Sequence, residues 1–303
     1  MRLSVMVLAL VCLCAVVIGI AAPVIQDEDV RGAFLTSRPK DKPASSGSAA
    51  KPSRRRPKQT TPNPGNTGKP GEKQIVKPIS PGPTNPSEPS KPVNVARIGL
   101  GLTLFMRDSN GLAVRTDPEH VFQKGDRVRV LLETNTDGYL YIFNTTNNGP
   151  ATMIYPHAEL DEAGNYIQAH VPFEIPSSAA TAEHLRWFAF DETAGSEQIF
   201  FVFTREPLKG IPLEDELVAL CQSSKDKCPF RPSTESWEAL QAQMQEPLKT
   251  DKTQAYGKSE TPGEQQATTR GLGLSKDDPQ PSLVMMASTP RSTLIAALEL
   301  IHK

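Results

Sequence analysis

From Phe105 to Phe203 the chain repeats one device, a short apolar or alternating run closed by tight-turn chemistry. In Arg127–Glu133, Val128, Val130 and Leu132 share one side while Arg127, Arg129 and Glu133 share the other, the period of two expected of a half-buried strand. Thr136-Asp137-Gly138 then favours a hairpin, and the chain returns through Tyr139–Phe143, apolar on both sides. Asn147-Asn148-Gly149 turns it again into Ala151–Tyr155. Further strands are expected at 97–105, 166–171, 185–190 and 198–203, with closing strands at 271–274, 282–286 and 293–301. In the last of these, Leu294, Ala297, Leu298 and Ile301 also fit one face of a helix. Two short helices are expected, one from Pro212 to Cys221 and one capped by Ser233 or Thr234 and reaching Gln245. Residues 246–269 read as polar and irregular. Many short strands joined by turns predict an all-β fold, mainly an antiparallel β-sandwich, rather than βαβ units.

The flanks have a different composition. Residues 38–92 hold 13 of the 28 prolines and no aromatic residue, whereas 16 of the 18 aromatics lie between Phe105 and Trp237. A stretch so poor in apolar side chains cannot offset its chain entropy, so residues 23–95 are expected to be a disordered Pro-rich linker ahead of a domain at 96–303. The linker core carries 12 Lys/Arg against 3 Asp/Glu, while residues from Ala96 onward carry 19 against 28. An acidic domain lacks the basic footprint of a nucleic-acid binder. Residues 1–22 combine Arg2 with an uncharged apolar run from Leu3 to Ala22. This fits either a cleaved secretory signal ending near Ala21 or an uncleaved anchor that tethers the chain to a membrane. Both place the domain in an exported compartment, periplasm or cell surface. There, Cys221 and Cys228 are expected to form a local disulfide.

Several pieces in this order carry a resemblance: Phe122 with Gly125-Asp126 and Val128, Asp137-Gly138-Tyr139 running to Phe143, and Met153-Ile154-Tyr155-Pro156. Pro172-Phe173 and Thr204-Arg205-Glu206-Pro207 extend it. The stretch 97–220 resembles the bacterial domain of unknown function 4384. The resemblance implies a β-rich module of envelope or signalling proteins and supplies no catalytic residue.

Catalytic templates are missing: there is no HExxH, GxSxG or GxGxxG. Gly65 to Lys69 mimics a phosphate loop but has Pro70 where Ser or Thr belongs. The five histidines do not cluster in sequence, and Arg115, Asp117, Glu119 and His120 read as loop charges. Asp137, Asn147, Asp161 and Asn165 have calcium-ligand chemistry that their turns already explain. No cofactor or metal is expected. The one binding pattern is aromatic: Tyr139 and Tyr141 share a strand face, with Trp187 on a neighbouring strand, and such rings either stack a ligand or fill the core. The expected function is a non-catalytic exported envelope module that presents a sandwich to a protein or cell-wall component. The alternatives are a glycan-binding module using Tyr139, Tyr141 and Trp187, and an unrecognised enzyme.

Overall fold

The computed structural model describes residues 29–41, 54–57, 97–160, 163–244 and 247–303. The apolar N-terminus, the phosphate-loop mimic and Asp161 lie outside these residues. Among the described residues no helix is long and apolar enough to cross a membrane.

Two sheets pack face to face. The first has seven strands: β1 (Gly99–Arg107), β2 (Ala113–Arg115), β4 (Arg127–Thr134), β8 (Phe173–Ile175), β9 (Phe188–Ala189), β11 (Leu248–Lys252) and β12 (Leu283–Ala287). Its main order is β11-β12-β1-β4-β8, with β2 beside β1 and β9 beside β4. The second has six: β3 (Val121–Phe122), β5 (Gly138–Thr146), β6 (Thr152–Tyr155), β7 (Tyr166–Ile167), β10 (Gly195–Thr204) and β13 (Thr293–His302). Its order is β3-β13-β10-β5-β6, with β7 beside β5. All pairings are antiparallel except that of β3 with β13. This is the expected all-β sandwich.

Period two determines what fills the middle. Leu100, Leu102 and Leu104 of β1 and Val128, Val130 and Leu132 of β4 meet Leu140, Ile142, Phe201 and Phe203 of the facing sheet. Burying one such side chain contributes about 1.5–3 kcal/mol. The segment 293–301 is a strand, because β13 pairs with β10 along ten residues and turns Leu294, Ala296, Leu298 and Leu300 inward. Helices α2 (Glu214–Ser223) and α3 (Thr234–Met244) cover the outer face of the second sheet. Three acids in the first turn of α2 suit the positive end of its dipole. Cys221 and Cys228 are disulfide-bonded, with Cα atoms 5.3 Å apart, and tie the end of α2 to the loop before α3.

Several expectations need correction. The strand expected at 166–171 stops at Ile167, because His170 takes a left-handed backbone (φ 56°) and turns its ring toward Glu133. That at 185–190 is a 3-10 turn (Glu183–Arg186) followed by the two residues of β9. Residues 246–269 contain β11 and a helix, α4 (Pro262–Arg270). Thr261 and Glu264 form a reciprocal capping box with Pro262 in the first turn, and Gly271 closes the helix at φ 64°. Gly271 is therefore a cap rather than the start of a strand at 271–274.

The N-terminal stretch expected to be linker throughout has two docked pieces. Residues 29–41 include α1 (Val30–Leu35), whose Phe34 is fully buried against Val284 and Met286. Gly99 and Gly101 make room for it: a Cβ on Gly99 would lie 2.9 Å from the Phe34 ring, and one on Gly101 would lie 2.5 Å from Pro281. Arg31 pairs with Asp251 at 2.9 Å. Residues 54–57 lie along the second sheet, where the Arg54 carbonyl accepts the Tyr166 N–H and crosses so close to Gly164 that a Cβ there would clash. Composition misses both pieces because their anchors are isolated residues, one Phe and a few Arg.

The outer face of β4 is covered too, at Glu133 by this docking and at Arg129 by Trp187 and Glu260. Arg129 and Glu133, expected to be solvated, are buried. Arg38 donates to both Glu133 carboxylate oxygens (2.7 and 2.5 Å) and to the carbonyls of Ser275, Asp278 and Pro279. His170 Nδ1 lies 2.6 Å from Glu133 Oε1, and Ser37 Oγ lies 2.7 Å from His170 Nε2. Burial would raise the Glu133 carboxyl, but the hydrogen bonds from Arg38 and His170 outweigh it and hold that carboxyl below its ordinary value.

Candidate functional site

The inward rows of the second sheet are apolar over most of their length and turn polar at one end. On β5 the row Leu140, Ile142 continues into Asn144 and Thr146; on β10, Phe203, Phe201, Ile199 continues into Glu197; on β13, Leu298, Leu300 continues into His302. The register brings these ends together, with Glu197 opposite both Thr146 and Leu300 and Gly195 opposite His302. Here the two sheets leave a cavity of about 430 Å³, walled by Val128, Ile154, Phe188, Phe190, Ile199 and Leu300. Asp191 and Thr193 stand at its rim in the turn leading into β10.

Glu197 Oε2 accepts from Asn144 Nδ2 (2.8 Å) and Thr146 Oγ1 (2.9 Å). With its amide nitrogen committed to a carboxylate, Asn144 presents Oδ1, a buried acceptor without a hydrogen-bond partner among the described residues. His302 is 4% exposed, and neither of its ring nitrogens has a hydrogen-bond partner among those residues. Its Nε2 lies 3.8 Å from Glu197 Oε1, too far for a hydrogen bond and close enough for one ligand atom to bridge them. The ring packs on Phe190 (centroids 5.1 Å apart), which in turn stacks on Phe122 (4.7 Å). Leaving a buried polar group unpaired costs about 1–3 kcal/mol. Three such atoms at one apolar-walled cavity form the most ligand-ready arrangement in the described residues.

The aromatic residues singled out from the sequence are placed otherwise. Tyr141 has no exposure, and its hydroxyl accepts the Leu208 N–H (2.9 Å) beneath α2 and α3. Tyr139 is 8% exposed and meets Tyr166 edge to face. Trp187 belongs to the other sheet's outer side, and the Arg129 guanidinium sits 4.3 Å over its ring. The three do not form one open stacking platform, because all are buried and Trp187 lies in a different apolar cluster from the two tyrosines. Arg129 lies 2.9 Å from Glu260 and 2.9 Å from Glu174, the latter contact close but not aligned as a hydrogen bond. Burial, and then the neighbouring Glu174 carboxylate, push Glu260 up to about 8.

The other sequence candidates serve local structure. Asp137 accepts from the Tyr166 hydroxyl and the Ala169 N–H, Asn147 from the Ser196 N–H, and Asn165 donates to the Leu140 carbonyl. Asp117 and Glu119 clasp Lys252, whereas Arg115 is buried against Glu264. Among the described residues no group of three or more His, Cys, Asp or Glu could hold a metal ion. His302 is isolated from the other histidines in sequence, and its signal lies on its own strand, where it continues the apolar stripe of Leu294, Ala296, Leu298 and Leu300.

Residues 121–207 match the family described as Domain of unknown function (DUF4384). The match is narrower than the stretch 97–220 that resembled it. No curated protein and no solved structure matches the chain. The DUF4384 segment supplies the cavity walls from β4, β5, β6, β9 and β10, while Leu300 and His302 come from outside it. The central strand β1, its partner β12 and, in the second sheet, β13 lie outside it as well.

Proposed function

We propose that this chain is a non-catalytic exported module whose β-sandwich binds a protein or cell-wall component, and that the recognised group enters the cavity at His302. The observation carrying this reading is the buried His302 ring, with both nitrogens unpartnered among the described residues, facing an apolar cavity of about 430 Å³. That size lies within the usual range for small-ligand pockets, and mostly apolar walls with a few converging polar groups are their usual lining. The disulfide at Cys221–Cys228 supports export, since such bonds persist in oxidising compartments. Burial of Tyr139, Tyr141 and Trp187 weighs against glycan stacking on those rings.

Imidazole NMR of the full chain, titrated with cocktails of small amines, alcohols, carboxylates, amides and monosaccharides, tests the reading. A fragment that shifts the His302 resonances, leaves those of His170 in place and is recovered unchanged supports it. Chemical conversion of a bound fragment would replace it with an enzymatic function. Silence of His302 toward every cocktail at millimolar concentration would overturn it.

A further inference from the structure

We infer that the cavity selects a protonated amine borne on an apolar stem. The inference rests on the cavity being a ligand site and adds the chemical class. Three of the polar atoms left available there, Glu197 Oε1, Asn144 Oδ1 and one His302 nitrogen, attract a hydrogen-bond donor. Glu197 is a carboxylate whose Oε2 is held by Asn144 and Thr146, which leaves Oε1 toward His302. Asn144 Oδ1 is an acceptor only, and a neutral imidazole offers one acceptor nitrogen. Asp191 adds a second acidic side chain at the rim, with Oδ1 receiving the Thr193 N–H. None of the described residues lining the cavity is Lys or Arg.

An ammonium group has three donors, matching Glu197 Oε1, Asn144 Oδ1 and a His302 nitrogen. Phe188 and Phe190 line the cavity with apolar surface that packs a methylene stem. A carboxylate would face the Glu197 carboxylate with a single His302 N–H to offset the repulsion, and a hydroxyl would make the hydrogen bonds without the charge. A free alkylamine and the side chain of a partner's lysine share this chemistry.

Calorimetry of the full chain with hexylammonium, 1-hexanol, hexanoate and a lysine blocked at both backbone ends tests the class. Hexylammonium is expected to bind at least about tenfold more tightly than hexanol, and hexanoate weakest, since charge-assisted hydrogen bonds are roughly twice as strong as neutral ones. Glu197→Gln should weaken hexylammonium about tenfold and leave hexanol within about twofold. Ile154→Trp, which fills the cavity, should abolish binding of both. Blocked lysine matching hexylammonium assigns the amine to a protein side chain; its failure beside bound hexylammonium assigns a free amine. Hexanol or hexanoate binding as tightly as the ammonium, and lost in Ile154→Trp, would overturn the amine class while leaving the cavity a ligand site. Absence of any binding that Ile154→Trp removes would overturn both.

Discussion

Replacing Arg38 by methionine tests whether the N-terminal segment is part of the folded unit. The arginine side chain is 1% exposed and its partner Glu133 3%, and five hydrogen bonds join Arg38 to the carboxylate and three carbonyls. Methionine keeps much of the stem's packing but leaves Glu133 with His170 alone. Breaking a buried pair by removing one partner costs about 3–5 kcal/mol, mostly from the charge left behind. Urea unfolding of the full chain should show that loss, or hydrogen exchange should show residues 29–41 released if they detach first. The double variant Arg38→Met with Glu133→Gln should recover most of it, because the stranded charge is gone. Acid provides a second readout. A carboxyl held below its ordinary value stabilises the fold above that value, near 4.5, and the contribution disappears as pH falls through the lowered one. Wild type should therefore lose stability on acidification below about pH 4.5, and the double variant should lose less. Unchanged unfolding and unchanged exchange at 29–41 in Arg38→Met would refute the reasoning.

Glu260 predicts the opposite pH trend. Its folded pKa, pushed up from 4.5 to about 8, means the folded chain retains a proton that the unfolded chain releases, so its contribution to stability falls as pH rises between those values. Urea midpoints across that window should slope downward in wild type and flatten in Glu260→Gln. Replacing Cys221 and Cys228 with serine should lower stability by about 2–3 kcal/mol on the loop-entropy view, read as a lower melting temperature, with no further loss on adding reductant. Thr261→Ala removes half of the capping box and should cost about 1 kcal/mol, with faster amide exchange confined to the start of α4.

The legible part of the fold was what period two and turn residues encode: β4, β5, β10, the turns between them and the disulfide. What escaped has identifiable physical causes. The alternation in Arg127–Glu133 gave the two faces of β4 but not what covers the charged one, since a distant Arg38 and the loop carrying Glu260 do so. The capping box of Thr261 and Glu264 stands in the sequence at its standard spacing, but the polar composition around it masks the helix. The candidate cavity was legible in principle, because three apolar strand rows end in Asn144, Glu197 and His302. Recognising it required the register, which places those three row ends side by side and which separate strands do not contain.

The position of β13 has a consequence for the order of events during synthesis. Its ten residues lie between β3 and β10, and its partner sheet is likewise centred on β1, which waits for β12 from the same late part of the chain. In a growing chain that has emerged only as far as Thr204, the strand carrying Phe201 and Phe203 lacks its β13 neighbour. Such a chain resembles an exposed, hydrophobic edge strand, the configuration most prone to pair with a neighbour. Holding the nascent chain unfolded until Thr293–His302 has emerged would avoid that hazard, and docking of that segment would both close the sandwich and install His302.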